Sequence, residues 1–290
     1  MDNERISLGG AQKQPNNQND EIKNLAKQHD IPEQFIERES EFQVPTEEIE
    51  LPSGGVFYPN GKSTVKIKYL TAEEDNILFS PDLIKSGKVL DILLESAVLD
   101  KDLRPEDMLS GDRNYLLIAT RRTGFGDEYE PGEMTCESCN NKFNPVVDLS
   151  KLQPKKLEVM PETEEGWYSV QMPVMKMTIK FRFLRGSDEK RMRKSQESSG
   201  KKTGQFKISR LITDRYLLQI MEVNGNRDKL YIQKFINAMP TKDSLFFREY
   251  VRRIEPGIDL SYDFECPHCG HIETTDVPIT AKLFYPEADV

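Results

Sequence analysis

Four cysteines, arranged as two Cys-x-x-Cys pairs, are the residues of this 290-residue chain whose types and spacing could do chemistry. The pairs are Cys136 with Cys139 and Cys266 with Cys269. Each turn can present two thiolates, and four thiolates form the closed tetrahedral shell typical of structural zinc. Because the pairs use every cysteine of the chain, the pattern predicts one structural Zn²⁺ per chain bound by all four.

The surroundings of the cysteine pairs favour zinc over the alternatives. Asn140 and Gly270 follow the two pairs, and these residue types readily adopt the left-handed backbone of a tight metal-binding turn. Two disulfide bonds would need an oxidising compartment, and a redox Cys-x-x-Cys usually opens a helix after a strand. His268 and His271 lie in or beside the second turn, and either could replace a cysteine as ligand, although solvent-facing roles are expected.

The residue inventory argues against an enzyme. A catalytic zinc keeps one coordination position open for water, which four thiolates do not leave. The chain has 3 histidines, one of them in a polar N-terminal stretch, so a histidine-based triad is hard to assemble. The glycines at Gly54-Gly55 and at Gly124-Phe125-Gly126 do not lie between a strand and a helix, as the glycines of a phosphate-binding loop do. We therefore expect no catalytic residues.

Composition and charge predict a soluble protein that has no membrane span and is not built for binding nucleic acids. Hydrophobic residues make up 37% of the chain, and no apolar run is long enough to span a bilayer. The N-terminus lacks a secretory signal, so the chain should remain in the reducing compartment where it is made. Residues 1–50 carry 12 acids and 5 bases, which leaves only about −2 of the net charge of −9 for the rest. A basic stretch at residues 190–207 is predicted to be a solvated loop rather than a phosphate-binding patch.

Polar caps, glycines and apolar periodicity predict the elements around the two cysteine turns. Thr71 should cap a helix with an acidic first turn, and one strand should run through residues 143–149. Structure should begin near Leu51, with strands around residues 65–69 and 169–184. Further helices are predicted over about 88–99, 113–123 and 208–221, from Ser187 or Asp188 onwards, and after residues 239–243.

The order of these elements occurs twice: strands, capped helix, amphipathic helix, polar cap, long helix, strand, Cys-x-x-Cys turn, strand. The most informative local match sets LSGD of residues 109–112 against PTKD of residues 240–243, although capped helices can resemble each other by chance. We predict an α+β fold of two pseudo-repeats, residues 49–155 and 156–290, joined by a shared four-cysteine zinc site. A disordered acidic arm, residues 1–48, precedes them; it either stays solvated or folds on docking to a partner.

An aromatic cluster lies close to the C-terminus. Phe284, Tyr285 and Pro286 must dock either on the body of the chain or on a partner. Docking on its own body is the favoured prediction, and these three residues are also the candidate partner-binding residues.

Several motifs together resemble the baseplate hub subunit and baseplate assembly protein family of T-even-type contractile-tailed bacteriophages. The similarity is best over residues 51–152, is looser through the second cysteine pair, and excludes the N-terminal arm. The motifs are LPSGGVFYP at residues 51–59, YLTAEED at 69–75, SGDRN at 110–114, GFG at 124–126 and the FYP ending at 284–286.

The resemblance implies a structural or assembly protein of the tail baseplate hub that acts by protein–protein binding. Its implied partners are other tail or baseplate hub proteins, with the tape-measure protein as one candidate. It implies the host cytoplasm during assembly, and the virion tail baseplate if the protein is retained. One alternative is a tail assembly chaperone absent from the mature virion, and a less favoured one is a zinc-ribbon nucleic-acid-binding factor.

Overall fold

A β-hairpin opens the part of the chain that the structure describes, which is residues 43–199 and 210–284 of a computed structural model. Its antiparallel strands are β1 (Thr46–Glu50) and β2 (Thr64–Lys68). Structure therefore begins before Leu51, and residues 46–48, which were predicted to belong to the arm, form part of this hairpin. Residues 1–42 of that arm lie outside the described residues.

Four helices follow the hairpin: α1 (Ala72–Leu78), α2 (Pro81–Lys85), α3 (Val89–Ala97) and α4 (Ser110–Phe125). Thr71 caps α1 as predicted, and Glu74 completes a capping box by accepting a hydrogen bond from the Thr71 N–H. Most of the predicted apolar face of α3 is buried in the core, and Leu90 on that face is half-buried. Helix α4 was predicted too short at both ends. It begins at Ser110, whose N–H donates to the Leu184 carbonyl, and it ends at Gly126, which has a φ of 80°.

Short strand pairs connect α4 to the middle of the chain. They are β3 (Glu128–Tyr129) with β6 (Val147–Asp148), and β4 (Met134–Thr135) with β5 (Lys142–Phe143), followed by β7 (Pro154–Lys155). The single strand predicted through residues 143–149 is wrong. Pro145 lacks the N–H that a continuous ladder needs, and Val146 turns 54% of its surface outward.

The second half of the chain begins with β8 (Tyr168–Gln171) and β9 (Thr178–Phe181), followed by α5 (Gly186–Ser199). After the undescribed residues 200–209 come α6 (Leu211–Gln219), β10 (Ile220–Val223), α7 (Lys229–Ala238) and α8 (Thr241–Ile254). The helix predicted over 208–221 ends at Gln219, because the chain extends there to pair with β9. Helix α7, which Asp228 caps, was not predicted.

The basic stretch predicted as a solvated loop is helical over its described part. Helix α5 starts at Gly186, before either predicted cap, and reaches Ser199. Lys190 contacts Glu95 and Glu106, and Arg193 contacts Asp91, so two of the basic side chains pack against the first half of the chain. The loop prediction is therefore wrong for residues 190–199, and residues 200–207 lie outside the described part.

The chain then forms β11 (Gly257–Ile258), β12 (Ser261–Glu265) and β13 (Ile272–Asp276). β11 pairs with β7, and β12 pairs with β13 over five residues. The fold is thus a mixture of helices and small antiparallel sheets.

One hydrophobic core runs through the compact unit that starts at Pro45. Its aromatic part gathers around Phe247 of α8, whose ring centroid lies 5.2 Å from that of Phe181 and 5.3 Å from that of Tyr216. Residues from before and after β7 contribute to the same cluster. No helix among the described residues is both long and apolar enough to cross a membrane.

Two buried aspartates hold the loops of the two hairpins. Asp112, the third residue of α4, accepts hydrogen bonds from the Ser53 N–H at 3.0 Å and from the Tyr58 hydroxyl, both in the loop between β1 and β2. Asp243, the third residue of α8, accepts from the N–H groups of Val174 and Met175, at 2.7 and 2.9 Å, between β8 and β9. Both aspartates are 0% exposed.

A second pair of contacts occupies matching places after each hairpin. Lys68, at the end of β2, pairs with buried Glu74 of α1 at 2.7 Å. Arg182, directly after β9, pairs with buried Asp188 of α5 at 2.7 Å. In both places the cation precedes the acid by six residues, and the acid lies in the first turn of the following helix.

Candidate metal centre

The first cysteine turn, residues 136–139, lies between β4 and β5. The Cys136 N–H donates to the Asn141 carbonyl, and the Asn140 N–H donates to the Cys136 carbonyl, each at 2.9 Å. Asn140 has a φ of 56°, the left-handed conformation predicted for it. This tight backbone turns both cysteine side chains to one side.

The second cysteine turn, residues 266–269, lies between β12 and β13 and repeats this pattern. The Cys266 N–H donates to the His271 carbonyl at 2.8 Å, and the Gly270 N–H donates to the Cys266 carbonyl at 2.9 Å. Gly270 has a φ of 73°, in the region predicted from its residue type. The two turns therefore share one hydrogen-bonding scheme.

The four sulfur atoms of the two turns converge, and all lie within 4.8 Å of one another. The Sγ atoms of Cys136 and Cys269 are 3.7 Å apart, as are those of Cys139 and Cys266. Zn–S bonds of about 2.3 Å give a tetrahedron with edges of about 3.8 Å, which matches these distances. A disulfide needs about 2.05 Å, so the four cysteines are free thiols here.

The electrostatics of the cluster suit a cation. The backbone N–H of Cys139 lowers the pKa of the Cys136 thiol to about 6, with help from the Ser138 N–H. At Cys269 the His271 N–H acts in the same direction, but desolvation and the neighbouring thiols outweigh it and raise that pKa to about 11. One thiol thus ionises readily while its neighbours oppose complete ionisation. A dication among the sulfurs removes this repulsion.

Burial and ligand type make the cluster a closed site. Cys136 and Cys266 are buried and Cys139 is partly buried, whereas Cys269 is exposed. The four-cysteine cluster contains neither His268 nor His271, and both histidines are exposed. The donor set is therefore four sulfurs, which could hold a metal ion of the zinc type.

The aromatic cluster near the C-terminus packs, at Phe284, on the body of the chain. The ring of Phe284 is 1% exposed and meets Phe125 edge-on at a centroid distance of 6.1 Å. It is not available to a partner in this conformation, which agrees with the favoured prediction of self-docking for that residue. Tyr285 and Pro286 lie outside the described residues, and their partner-binding role stays a prediction.

Arg121 secures this end of the chain, and it was not predicted from the sequence. It is buried in α4 and donates to the carbonyls of Leu283, Gly126 and Glu128 at 2.6 to 2.8 Å. These bonds tie the end of the described chain to the segment that leads into the first cysteine turn. In the sequence Arg121 stands beside Arg122, which is exposed, and nothing local distinguishes the two.

Comparison with known proteins identifies the family. A family model described as T4 bacteriophage base plate protein matches residues 44–284, a range that includes both cysteine turns and nearly all of the described chain. Searches of curated proteins and of solved structures return no significant match. Since the match covers most of the 290 residues, the chain belongs to the T4-type bacteriophage baseplate protein family.

Proposed function

We propose that this chain is a non-catalytic structural protein of the tail baseplate hub, in which a zinc-clasped body binds neighbouring tail proteins. The observation that carries the proposal is the convergence of four cysteine sulfurs within 4.8 Å, inside the region that matches the baseplate family. Cys139 and Cys266, which are in contact, are 127 residues apart in the sequence. A metal there joins distant segments and so rigidifies the body.

Zn²⁺ is the proposed ion, bound by Cys136, Cys139, Cys266 and Cys269. Bound zinc would supply four metal–sulfur bonds that cross-link the two turns. The turns themselves contribute backbone N–H groups that stabilise thiolates, as at Cys136. Four sulfur ligands leave no position for a reacting water, which supports a structural role for the metal.

The proposal includes two pseudo-repeats, residues 49–155 and 156–290, each donating one cysteine turn. Paired contacts support it: Asp112 and Asp243 hold the two hairpin loops, and the Lys68–Glu74 and Arg182–Asp188 pairs follow the two hairpins. Each contact lies at the same place in the order of elements of its half.

The proposed setting is the host cytoplasm during assembly and the virion tail baseplate afterwards. Partners would be other baseplate or tail proteins, with the tape-measure protein as one candidate. Quantitative mass spectrometry of purified virions tests this placement, because a structural subunit is present at a fixed ratio to other baseplate proteins. Presence in infected cells together with absence from virions would instead favour the assembly chaperone.

Elemental analysis tests the metal. We expect about one zinc per chain in the purified protein, loss of zinc in Cys266→Ser, and retention in the control Glu137→Gln, which alters an exposed residue of the first turn. A wild-type protein that folds and assembles without any bound metal would contradict the zinc part of the proposal.

A further inference from the structure

A cavity of about 770 Å³ lies where the start of α4 meets the end of α8 and β11. We call it the junction cavity. Helices α5 and α6 complete its wall. The residues that carry the inference are Ser110, Lys155, Gln219, Arg215, Arg248 and Glu255.

Buried polar atoms without partners gather around the junction cavity. Gln219 is only 1% exposed, and its Nε2 finds no hydrogen-bond acceptor among the described residues. The Ser110 hydroxyl and the Glu255 Oε1 are likewise buried and unpartnered within the described chain. Because buried polar groups in proteins nearly always have partners, three such atoms around one cavity indicate that it takes a polar ligand.

The cationic groups around the cavity are only partly used by the chain itself. Arg252 pairs with Asp276 at 3.2 Å, and Lys155 donates to the Arg252 carbonyl. Arg215 and Arg248 are exposed, and neither forms a salt bridge with any described residue. Arg253 is also exposed, and its guanidinium lies over the Tyr250 ring at 5.3 Å. The guanidinium groups of Arg215 and Arg248, each with a planar set of donors, are therefore available to bind an anion.

Most acidic groups of the wall already have partners. Glu189 binds Arg113, and Asp259 accepts from the N–H and hydroxyl of Ser261. Burial raises the pKa of Glu255 to about 7, against the opposing effect of Arg215. A protonated Glu255 can donate a hydrogen bond to a ligand oxygen. Glu249 remains as an exposed acid at the rim.

From these groups we infer that the junction cavity binds a carboxylate side chain presented by an acidic segment of a neighbouring protein. The Gln219 amide and the Ser110 hydroxyl, which are closed to solvent in this conformation, would donate to the carboxylate once it enters the base of the cavity. Arg215 and Arg248 would bind it from the rim. The inference rests on the proposed function to the extent that the ligand is a protein.

A nucleic acid fits the same cavity less well. Binding along a phosphate backbone depends on many uncompensated cations that release counterions. Here Glu249, Asp259 and Asp276 share the rim with the exposed arginines, so few uncompensated cations are available. A carboxylate also matches the planar guanidinium fork in size and shape.

Fluorescence anisotropy with a labelled hexaglutamate peptide tests the inference on the full-length, zinc-loaded protein. We expect the hexaglutamate peptide to bind at least tenfold more tightly than a hexaglutamine peptide of the same length. Arg215→Gln and Arg248→Gln should each weaken binding about tenfold, as for loss of one charge-assisted hydrogen bond. The control Arg104→Gln removes an exposed arginine outside the cavity and should leave affinity unchanged.

Gln219→Met separates binding from folding. The variant keeps the side-chain volume and removes an amide that has an unpartnered nitrogen, so the melting temperature should not fall. Affinity for hexaglutamate should drop about tenfold. A lower melting temperature with unchanged affinity would overturn the role given to Gln219.

Equal affinity for the two peptides, or hexaglutamate binding that survives all three cavity substitutions, would overturn the proposal. Tighter binding of a single-stranded DNA 12-mer that the same substitutions abolish would also overturn it, in favour of a nucleic-acid site. Neither result bears on whether the protein is present in virions. Failure of this inference is therefore distinguishable from failure of the proposed function.

Discussion

Helices α4 and α8 both begin with a buried aspartate that binds a hairpin loop, but the surroundings of the two helix starts differ. Asp112 in α4 and Asp243 in α8 are both fully buried third residues that bind the loop of a preceding hairpin. The residue before Asp243 is the exposed Lys242. The residue before Asp112 is Gly111, where an added Cβ would lie 1.9 Å from the Pro256 carbonyl oxygen. An aspartate that binds a hairpin loop, which we call the hairpin anchor, is thus common to both halves. Close packing against the other half, by contrast, occurs at the start of α4 and not at the exposed position before Asp243.

The two helix ends differ as well. Helix α4 ends at Gly126, whose φ of 80° suits glycine, and α8 ends at Glu255, which has an ordinary extended backbone. Glu255 lies at the junction cavity together with Gly111. The first half therefore contributes a helix start to this junction, and the second half contributes a helix end with a buried carboxyl. Helices α4 and α8 therefore occupy similar places in their halves of the chain but contribute opposite ends to the junction cavity.

Breaking the proposed metal link should have the largest effect on stability, because it would join the two cysteine turns. We expect metal chelation, or Cys266→Ser, to lower the free energy of unfolding by about 5 kcal/mol or more, as for structural zinc sites. Denaturant unfolding followed by circular dichroism measures it. The Glu137→Gln control should unfold like the wild type, and a chelated protein equally stable to the native one would refute the metal link.

Removing the hairpin anchors tests whether they are equivalent. Asp112→Ala should cost about 3 kcal/mol, since it leaves the Ser53 N–H and the Tyr58 hydroxyl buried without an acceptor. Asp243→Ala should cost about 2 kcal/mol, because its two N–H donors lie in a part-buried loop. Urea unfolding of both variants measures the difference. Losses below about 0.5 kcal/mol would show that the aspartates do not anchor the loops.

Exchanging the residue before each aspartate tests the asymmetry directly. Gly111→Ala should destabilise by about 2 kcal/mol despite the better helix propensity of alanine, because the methyl group collides with the Pro256 backbone. Lys242→Ala, at the matching exposed position, should change stability by less than about 0.5 kcal/mol. The two melting temperatures give the comparison. Equal effects would show that α4 is not pressed against the second half.

The carboxyl at the end of α8 should make stability depend on pH. Burial raises the pKa of Glu255 to about 7, above its ordinary value of 4.5, so the folded protein holds this proton more tightly than the unfolded chain. The contribution of Glu255 to the free energy of unfolding is then fully present below pH 4.5 and is lost as the pH rises through 7. Between about pH 6 and pH 8 the wild type should lose about 1 kcal/mol relative to Glu255→Gln. Denaturant unfolding of the zinc-loaded proteins at several pH values measures this difference. The same pH dependence of stability in wild type and Glu255→Gln would show that the pKa of Glu255 is not raised. Glu249→Gln, which alters an exposed acid of α8, is the control.

Short-range patterns predicted much of this molecule. The spacing of the cysteines predicted that the two Cys-x-x-Cys turns meet, and their four sulfur atoms lie close enough together to hold a metal ion. The acidic first turn after Thr71 predicted α1 and its cap, and the periodicity of α3 predicted its buried face. Family motifs predicted the baseplate assignment, which the match over residues 44–284 confirms.

The remaining features depend on contacts between residues far apart in the sequence. The junction cavity is formed by residues near 110, 155, 215 and 255, and no local pattern indicates that they meet. Arg113 and Arg121 are buried because distant carboxylates and carbonyls accept their N–H groups, while neighbouring Arg122 stays exposed. Two of the missed features did have local sequence signals. Asp228 is a residue type that favours a helix N-cap, which would have indicated α7, and Pro145 would have indicated the break between β5 and β6.

The cysteine pairs also constrain the timing of biosynthesis. A ribosome adding about 5 to 20 residues per second needs roughly 6 to 25 s to travel from the first pair to the second, given the 127 residues between Cys139 and Cys266. During that interval the nascent chain offers only half of a coordination sphere, with two thiols open to oxidation or to a competing ion. Capture of the proposed zinc by all four cysteines would have to wait until the second pair has left the exit tunnel, so most of the polypeptide exists before its halves can be linked.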